Sequence, residues 1–164
     1  MAVESVSLEP EDAAFIQGGV SIIAAARDGT NDTTVARAMG CRVLPDRRQV
    51  TIFLSAAQSG ALLSDIRANG ILAVVFSQPT SHRTIQLKGT DAVVVSLEND
   101  DPHIWAAYRE QLTGELKALG FSDAFVRAML KAPSGDVVAV TFTPSAAFLQ
   151  TPGPKAGTPL HPRA

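Results

Sequence analysis

The sequence predicts a mainly β chain with helices (α+β), built on a six-stranded antiparallel sheet closed into a barrel. Two observations carry that prediction. Six β-branched or apolar runs, Gly19–Arg27, Thr34–Leu44, Val50–Leu54, Ile71–Ser77, His82–Leu97 and Val137–Thr143, are bounded by turn or cap residues. These runs are consecutive rather than alternating strictly with helices, the pattern of antiparallel rather than doubly wound architecture.

Each element has a local cause. Residues 11–17 fit a short amphipathic helix with Phe15 and Ile16 inward, closed by Gly18. The first strand ends at the turn Asp28-Gly29, and Asn31-Asp32 leads into Thr34–Leu44. Pro45-Asp46 then turns the chain into Val50–Leu54, a hairpin. Ser55-Ala-Ala-Gln58 has the capping-box pattern, so a helix is expected from about Ala56, with Leu62, Leu63 and Ile66 buried and Asn69-Gly70 at its exit. Ile71–Ser77 is apolar on both faces and reads as a central strand. The run from His82 to Leu97 reads as one long hairpin strand with a bulge at Gly89. Asp100-Asp101-Pro102 starts a helix to Leu119 that presents Ile104, Tyr108, Leu112 and Leu116, and Ser122 caps a second helix bearing Phe125, Val126 and Met129. The last strand follows, and Thr151–Ala164 is a Pro/Gly-rich tail, expected to be extended and either wrapped on a partner or mobile. The domain reading is therefore 1–150 as a single barrel and 151–164 as tail.

Composition excludes several classes. At 164 residues and 46% hydrophobic, the chain can bury one real core. A net charge of −2 provides no basic field for nucleic acid. No apolar stretch approaches the roughly 20 residues that span a bilayer as a helix, and the acidic start is unlike a secretory leader, so a soluble cytoplasmic protein is expected. Cys41 is the only cysteine and reads as a small buried side chain rather than a nucleophile. His82, His103 and His161 have no metal-ligand spacing, so no metal site is expected. Trp105 and Tyr108 read as packing the long helix onto the barrel or a partner chain.

Three features carry chemistry. Alternation along Thr34–Leu44 puts Ala36, Ala38 and Gly40 on one side, with Val35, Arg37, Met39, Cys41 and Val43 on the other. The small face leaves room for either a flat ring, such as an isoalloxazine, or a packed helix. The helix after Ser55, with the hydroxyls of Ser55 and Ser59, forms the kind of terminus that holds a phosphate. The polar side chains His82, Thr84, Gln86 and Lys88 share a strand face, and can meet a heteroaromatic edge, a phosphate or only solvent.

Val35-Ala-Arg-Ala-Met-Gly40, Val50-Thr-Ile-Phe-Leu-Ser55 with its helix, Ile71–Ser77 and His82-Arg-Thr-Ile-Gln-Leu-Lys-Gly89 occur in an order that resembles the FMN-binding split barrels related to pyridoxamine 5′-phosphate oxidase. The resemblance implies a split β-barrel homodimer, with two flavin sites at the subunit interface lined by both chains. It implies cofactor contacts from Arg37, Ala38, Met39, Phe53, Leu54 and Ser55, with Gln58 and Ser59 where the oxidase commonly presents an Arg-Lys pair. Arg83, Gln86 and Lys88 complete the expected set, and no side chain is required as a catalyst. The activity implied is FMN-dependent oxidoreduction of a small molecule. Two alternatives stand beside it: a non-catalytic split-barrel binding module with weak or lost flavin binding, and a haem-binding relative.

Overall fold

In the computed structural model, which describes residues 5–133 and 135–160, the apolar runs form one antiparallel sheet of eight strands rather than six. These are β1 (Ser21–Arg27), β2 (Thr33–Val43), β3 (Val50–Ser55), β4 (Leu72–Ser77), β5 (Thr84–Gly89), β6 (Val93–Val95), β7 (Val137–Phe142) and β8 (Ala146–Leu149). Their order is β6-β7-β3-β2-β1-β4-β5-β8, an open order with β6 and β8 at its ends.

One extra strand arises where the run His82–Leu97 breaks into β5 and β6, and the other, β8, lies beyond the last expected run. A Cβ on Gly89 would lie 2.8 Å from the Phe142 ring and 3.0 Å from the Thr143 carbonyl, so the expected bulge is a tight crossing that ends β5. Pro144, which has no N–H for a ladder, separates β7 from β8. Paired residue numbers add to 234 in both the β5–β8 and β6–β7 ladders. One register thus continues around a corner instead of running through one straight hairpin.

Four helices complete the chain: α1 (Pro10–Ile16), α2 (Gly60–Asn69), α3 (Asp101–Ala118) and α4 (Asp123–Met129). Asp101 and Pro102 begin α3 and the Ser122 hydroxyl accepts from Phe125 N–H to cap α4, as the sequence suggests. Gly70, at φ +69°, ends α2 in the left-handed conformation that glycine adopts without cost. The start of α2 differs from expectation. Ser55 does accept from the Gln58 N–H at 3.3 Å, but it also donates to the Asp136 carboxylate, and residues 56–58 form a turn. The helix begins only at Gly60.

The core lies on one face of the sheet, where Ile22, Ala24, Ala36, Ala38, Ile52, Leu54, Val74, Phe76, Ile85 and Leu87 pack with Leu62, Leu63 and Ile66 of α2. Across part of the opposite face lies α3. Its Tyr108 is buried and donates from its hydroxyl to the Val20 carbonyl at 2.8 Å, while Trp105 meets the Phe53 ring edge-on at 5.6 Å. Gly19 makes this approach possible, because a Cβ there would stand 2.8 Å from the backbone of Gln111. The described part of the tail, residues 151–160, turns back on β8 rather than extending: Leu149 N–H donates to Thr158, Leu160 N–H donates to Ala147, and Phe148 bridges Pro159. Residues 161–164, and with them His161, lie outside the described residues. No described helix is long and apolar enough to cross a membrane.

Candidate functional site

The expected site residues separate into four places. Ala38 and Leu54 face each other across the β2–β3 ladder with their side chains fully inside the core. They can offer a ligand no side-chain surface. The small-residue face of β2 is therefore an inner face, lying opposite Ile22 and Ala24, and its small side chains make room for barrel packing. Alternation also fails beyond Ala38, where a register shift before Cys41, with Gly40 at φ +139°, turns Cys41 inward rather than onto the side of Arg37. Met39 and Phe53 are buried as well, and Phe53 packs against Trp105 of α3.

Ser55, Gln58 and Ser59 gather in the turn before α2. Asp136 enters this turn from the loop ahead of β7: its carboxylate accepts from the Ser55 hydroxyl and from Ala57 N–H at 3.0 Å, and its carbonyl accepts from Ala56 N–H at 2.8 Å. An anionic group of the chain itself thus occupies the first donors that sequence reasoning assigned to a phosphate. Gln58 donates to the Lys131 carbonyl instead. Ser59 is different. Its hydroxyl is buried, makes no capping bond, and has no hydrogen-bond partner among the described residues. A buried unpaired hydroxyl costs free energy, and at the start of a ten-residue helix it lies where an anion is favoured. This is the observation that fits a phosphate group.

Arg83 is pulled away from both groups. It pairs with Asp12 at 2.9 Å and Glu11 at 3.2 Å, and its guanidinium lies 4.3 Å from the centre of the Phe15 ring. The remaining predicted residues share the outer face of the sheet. Ladder register sets Arg37, Ile23, Val75, Gln86 and Phe148 in one cross-strand row, and Val35, Ala25, Ala73, Lys88 and Ala146 in the next. Arg37 donates to Ser21 Oγ at 2.9 Å, and Gln86 accepts from Gln150 Nε2 at 3.2 Å. Val35 is 62% exposed, and Ile23, Ala25, Ala73 and Val75 are partly exposed. A five-strand face this apolar, bordered by one arginine and one lysine, is left uncovered in the single chain.

His82, expected on the polar strand face, sits in the β4–β5 turn at φ +60°, and Thr84 is buried with its hydroxyl against Ser77 at 2.8 Å. Glu115 of α3 pins that turn by accepting from Gln78 and Thr80. His103 is exposed on α3. Burial pushes the Cys41 thiol far above the usual range, so it has no nucleophilic character. No group of three His, Cys, Asp or Glu side chains is arranged for a metal among the described residues. Sequence reasoning missed Asp136 because the contact joins residues 81 positions apart, with no local signal.

No family model matches the chain, and no curated protein matches it. Solved structures do. HupZ of Group A Streptococcus is 15% identical with a TM-score of 0.55, the match covering 92% of this chain and 99% of that one. A pyridoxamine 5′-phosphate oxidase-like protein of Lactobacillus delbrueckii is 16% identical with a TM-score of 0.53, over 87% and 93% of the two chains. An F420 reductase is 12% identical with a TM-score of 0.50, over 82% and 93%. The chain therefore has the split-barrel fold of the pyridoxamine 5′-phosphate oxidase-like proteins.

Proposed function

We propose that this chain is a flavin mononucleotide-binding split barrel that works as a homodimer, with each cofactor held between two chains. The observation that carries the reading is the buried, unpartnered Ser59 hydroxyl at the start of α2. Two further facts support it: the partly exposed row Arg37–Ile23–Val75–Gln86 joins apolar side chains to a cation and an amide on a face of the kind two chains cover together, and the fold is shared with proteins described as an oxidase and a reductase. Within one chain the α2 terminus and this outer face are separate groups of residues, and a site lined by both chains would unite them around one ligand.

Ser59 and the free N–H groups of the first turn of α2 would hold the phosphate, while Arg37 and Gln86 would meet the polar edge of the ring. A bound flavin supplies the hydride and electron transfer, and the protein binds, orients and excludes water. A small-molecule oxidoreductase acting in the cytoplasm follows as the activity. Asp136 favours a second reading, a split-barrel module with weak or lost flavin binding, because its carboxylate repels a phosphate brought to the same turn. Flavin titration by fluorescence quenching of wild type and Arg37→Ala separates the two. Saturable uptake by a dimer, weakened about tenfold in the variant, supports the flavin site. Equal, non-saturable traces from both proteins support the module.

A further inference from the structure

A second site lies at the end of the outer face, where β1, β4, β5 and β8 meet. A cleft of about 450 Å³ opens there, within the size range of small-molecule pockets. Its floor is apolar, formed by Ala25, Ile71, Ala73 and Ala146; Thr33 and Thr90 also line it, while the Ser145 hydroxyl donates to the Lys88 carbonyl at 3.2 Å. Among the described residues two cations border it, Arg27 and Lys88, and no carboxylate lines it.

The strand register fixes these positions. Arg27 ends β1 opposite Thr33, and Lys88 lies opposite both Ala73 of β4 and Ala146 of β8. The two cations therefore stand on strands two apart in the sheet and two residues out of row, about 12 Å between backbone positions at the usual strand spacing and rise, on either side of the alanine floor. Neither is neutralised by an ion pair among the described residues. The Arg27 guanidinium donates to the Asn31 side-chain carbonyl, and the Lys88 ammonium lies 5.3 Å from the centre of the Phe148 ring. Both contacts orient a positive charge without cancelling it. The nearest acidic neighbour in sequence, Asp28, is taken up within its own loop by the N–H groups of Thr30 and Asp32.

We propose that this cleft binds a small organic anion with a compact apolar body, of the aryl or short acyl carboxylate class. The alanine floor accepts a flat or short apolar group, since longer side chains at those positions would fill the space. Arg27 and Lys88 then bracket the anionic end, with the Thr33 and Thr90 hydroxyls completing its hydrogen bonds. The site's residues all come from one chain and exclude the α2 terminus, but its floor is the row of the outer face next to Arg37, Ile23, Val75 and Gln86, so it requires that a partner chain on that face leave the cleft open. It also gives Lys88 a different role from that of a cofactor-phosphate ligand.

The test is calorimetric titration of the purified full chain with 1-naphthoate and with its neutral counterpart, 1-naphthalenemethanol. The expected result is saturable binding of one naphthoate per chain, at least tenfold tighter than the alcohol. Arg27→Gln and Lys88→Gln should each reduce that preference about fivefold, with no change in the binding of the alcohol. Ala73→Leu, which fills the floor, should abolish binding of both ligands while leaving the circular dichroism spectrum intact. Equal affinity for acid and alcohol, no saturable binding, or an unchanged preference in both charge variants would overturn the proposal. Naphthoate binding seen only in a monomeric Ile23→Asp variant would overturn it too, since the partner chain would then fill the cleft.

Discussion

Replacing Ser59 by alanine should stabilise the ligand-free protein and weaken its hold on flavin. The serine hydroxyl is buried without a partner and makes no cap to the first turn of α2. The usual cost of losing an N-cap side chain, about 1 kcal/mol, therefore does not apply. What the substitution removes is the penalty of a buried unsatisfied hydroxyl, roughly 1–3 kcal/mol, offset in part by the small space it leaves. A net gain of about 1 kcal/mol raises Tm by about 3 °C for a chain of this size. In the presence of flavin the sign reverses. A hydrogen bond to a charged phosphate contributes roughly 1.5 kcal/mol or more, so the variant should bind flavin mononucleotide about tenfold more weakly. Scanning calorimetry with and without saturating cofactor reads both effects on one protein. A ligand-free Tm that falls by several degrees would refute the reasoning, because the hydroxyl would then be an ordinary, satisfied cap.

Other outcomes follow from the packing. Arg42→Ala should destabilise the fold by about 3 kcal/mol, seen as a lower urea midpoint, because Asp101, only 1% exposed, loses its 3.0 Å partner. Its second partner, Glu98, is 64% exposed, and Glu98→Ala should change the midpoint little. The Thr80 hydroxyl, then the Gln78 amide and Thr80 N–H, hold the Glu115 carboxyl below its ordinary value of 4.5 despite opposing burial. A lowered carboxyl pKa contributes stability in full above the ordinary value and loses it as pH falls through the folded value. The protection factors of the amides in residues 78–83, measured against intrinsic exchange at the same pH, should therefore fall on acidification below pH 4.5, and Glu115→Gln should remove that dependence. Finally, Cys41 in the folded protein should resist iodoacetamide at neutral pH and react only after urea unfolding, as mass spectrometry would show.

Much of the fold is legible in the sequence because local chemistry sets it. Asp101-Pro102 starts α3, the Ser122 hydroxyl caps α4, Gly70 ends α2, and five of the six apolar runs become strands near their expected limits. The failures are non-local. Ser55-Ala-Ala-Gln58 satisfies the capping pattern, yet Asp136, just ahead of the neighbouring strand β7 but 81 positions away in sequence, captures its donors and delays the helix to Gly60. The run from His82 to Leu97 breaks because Phe142 approaches Gly89, a contact no strand pattern encodes. The site was less legible than the fold for the same reason. Alternation tells which residues share a face but not which face is inner, and Ala36 and Ala38 are inner because Ile22 and Ala24 are their partners. Arg83 looks like a free cation in sequence, whereas α1 supplies two carboxylates and an aromatic ring to hold it.

The central claim is that two chains hold flavin mononucleotide between them. The most direct measurement is a visible absorption spectrum of the dimer peak from size-exclusion chromatography, taken after incubation with the cofactor and removal of the excess. The account predicts retained flavin absorbance at one cofactor per chain. A dimer that elutes colourless, or a flavin signal that stays with a monomer, would contradict it.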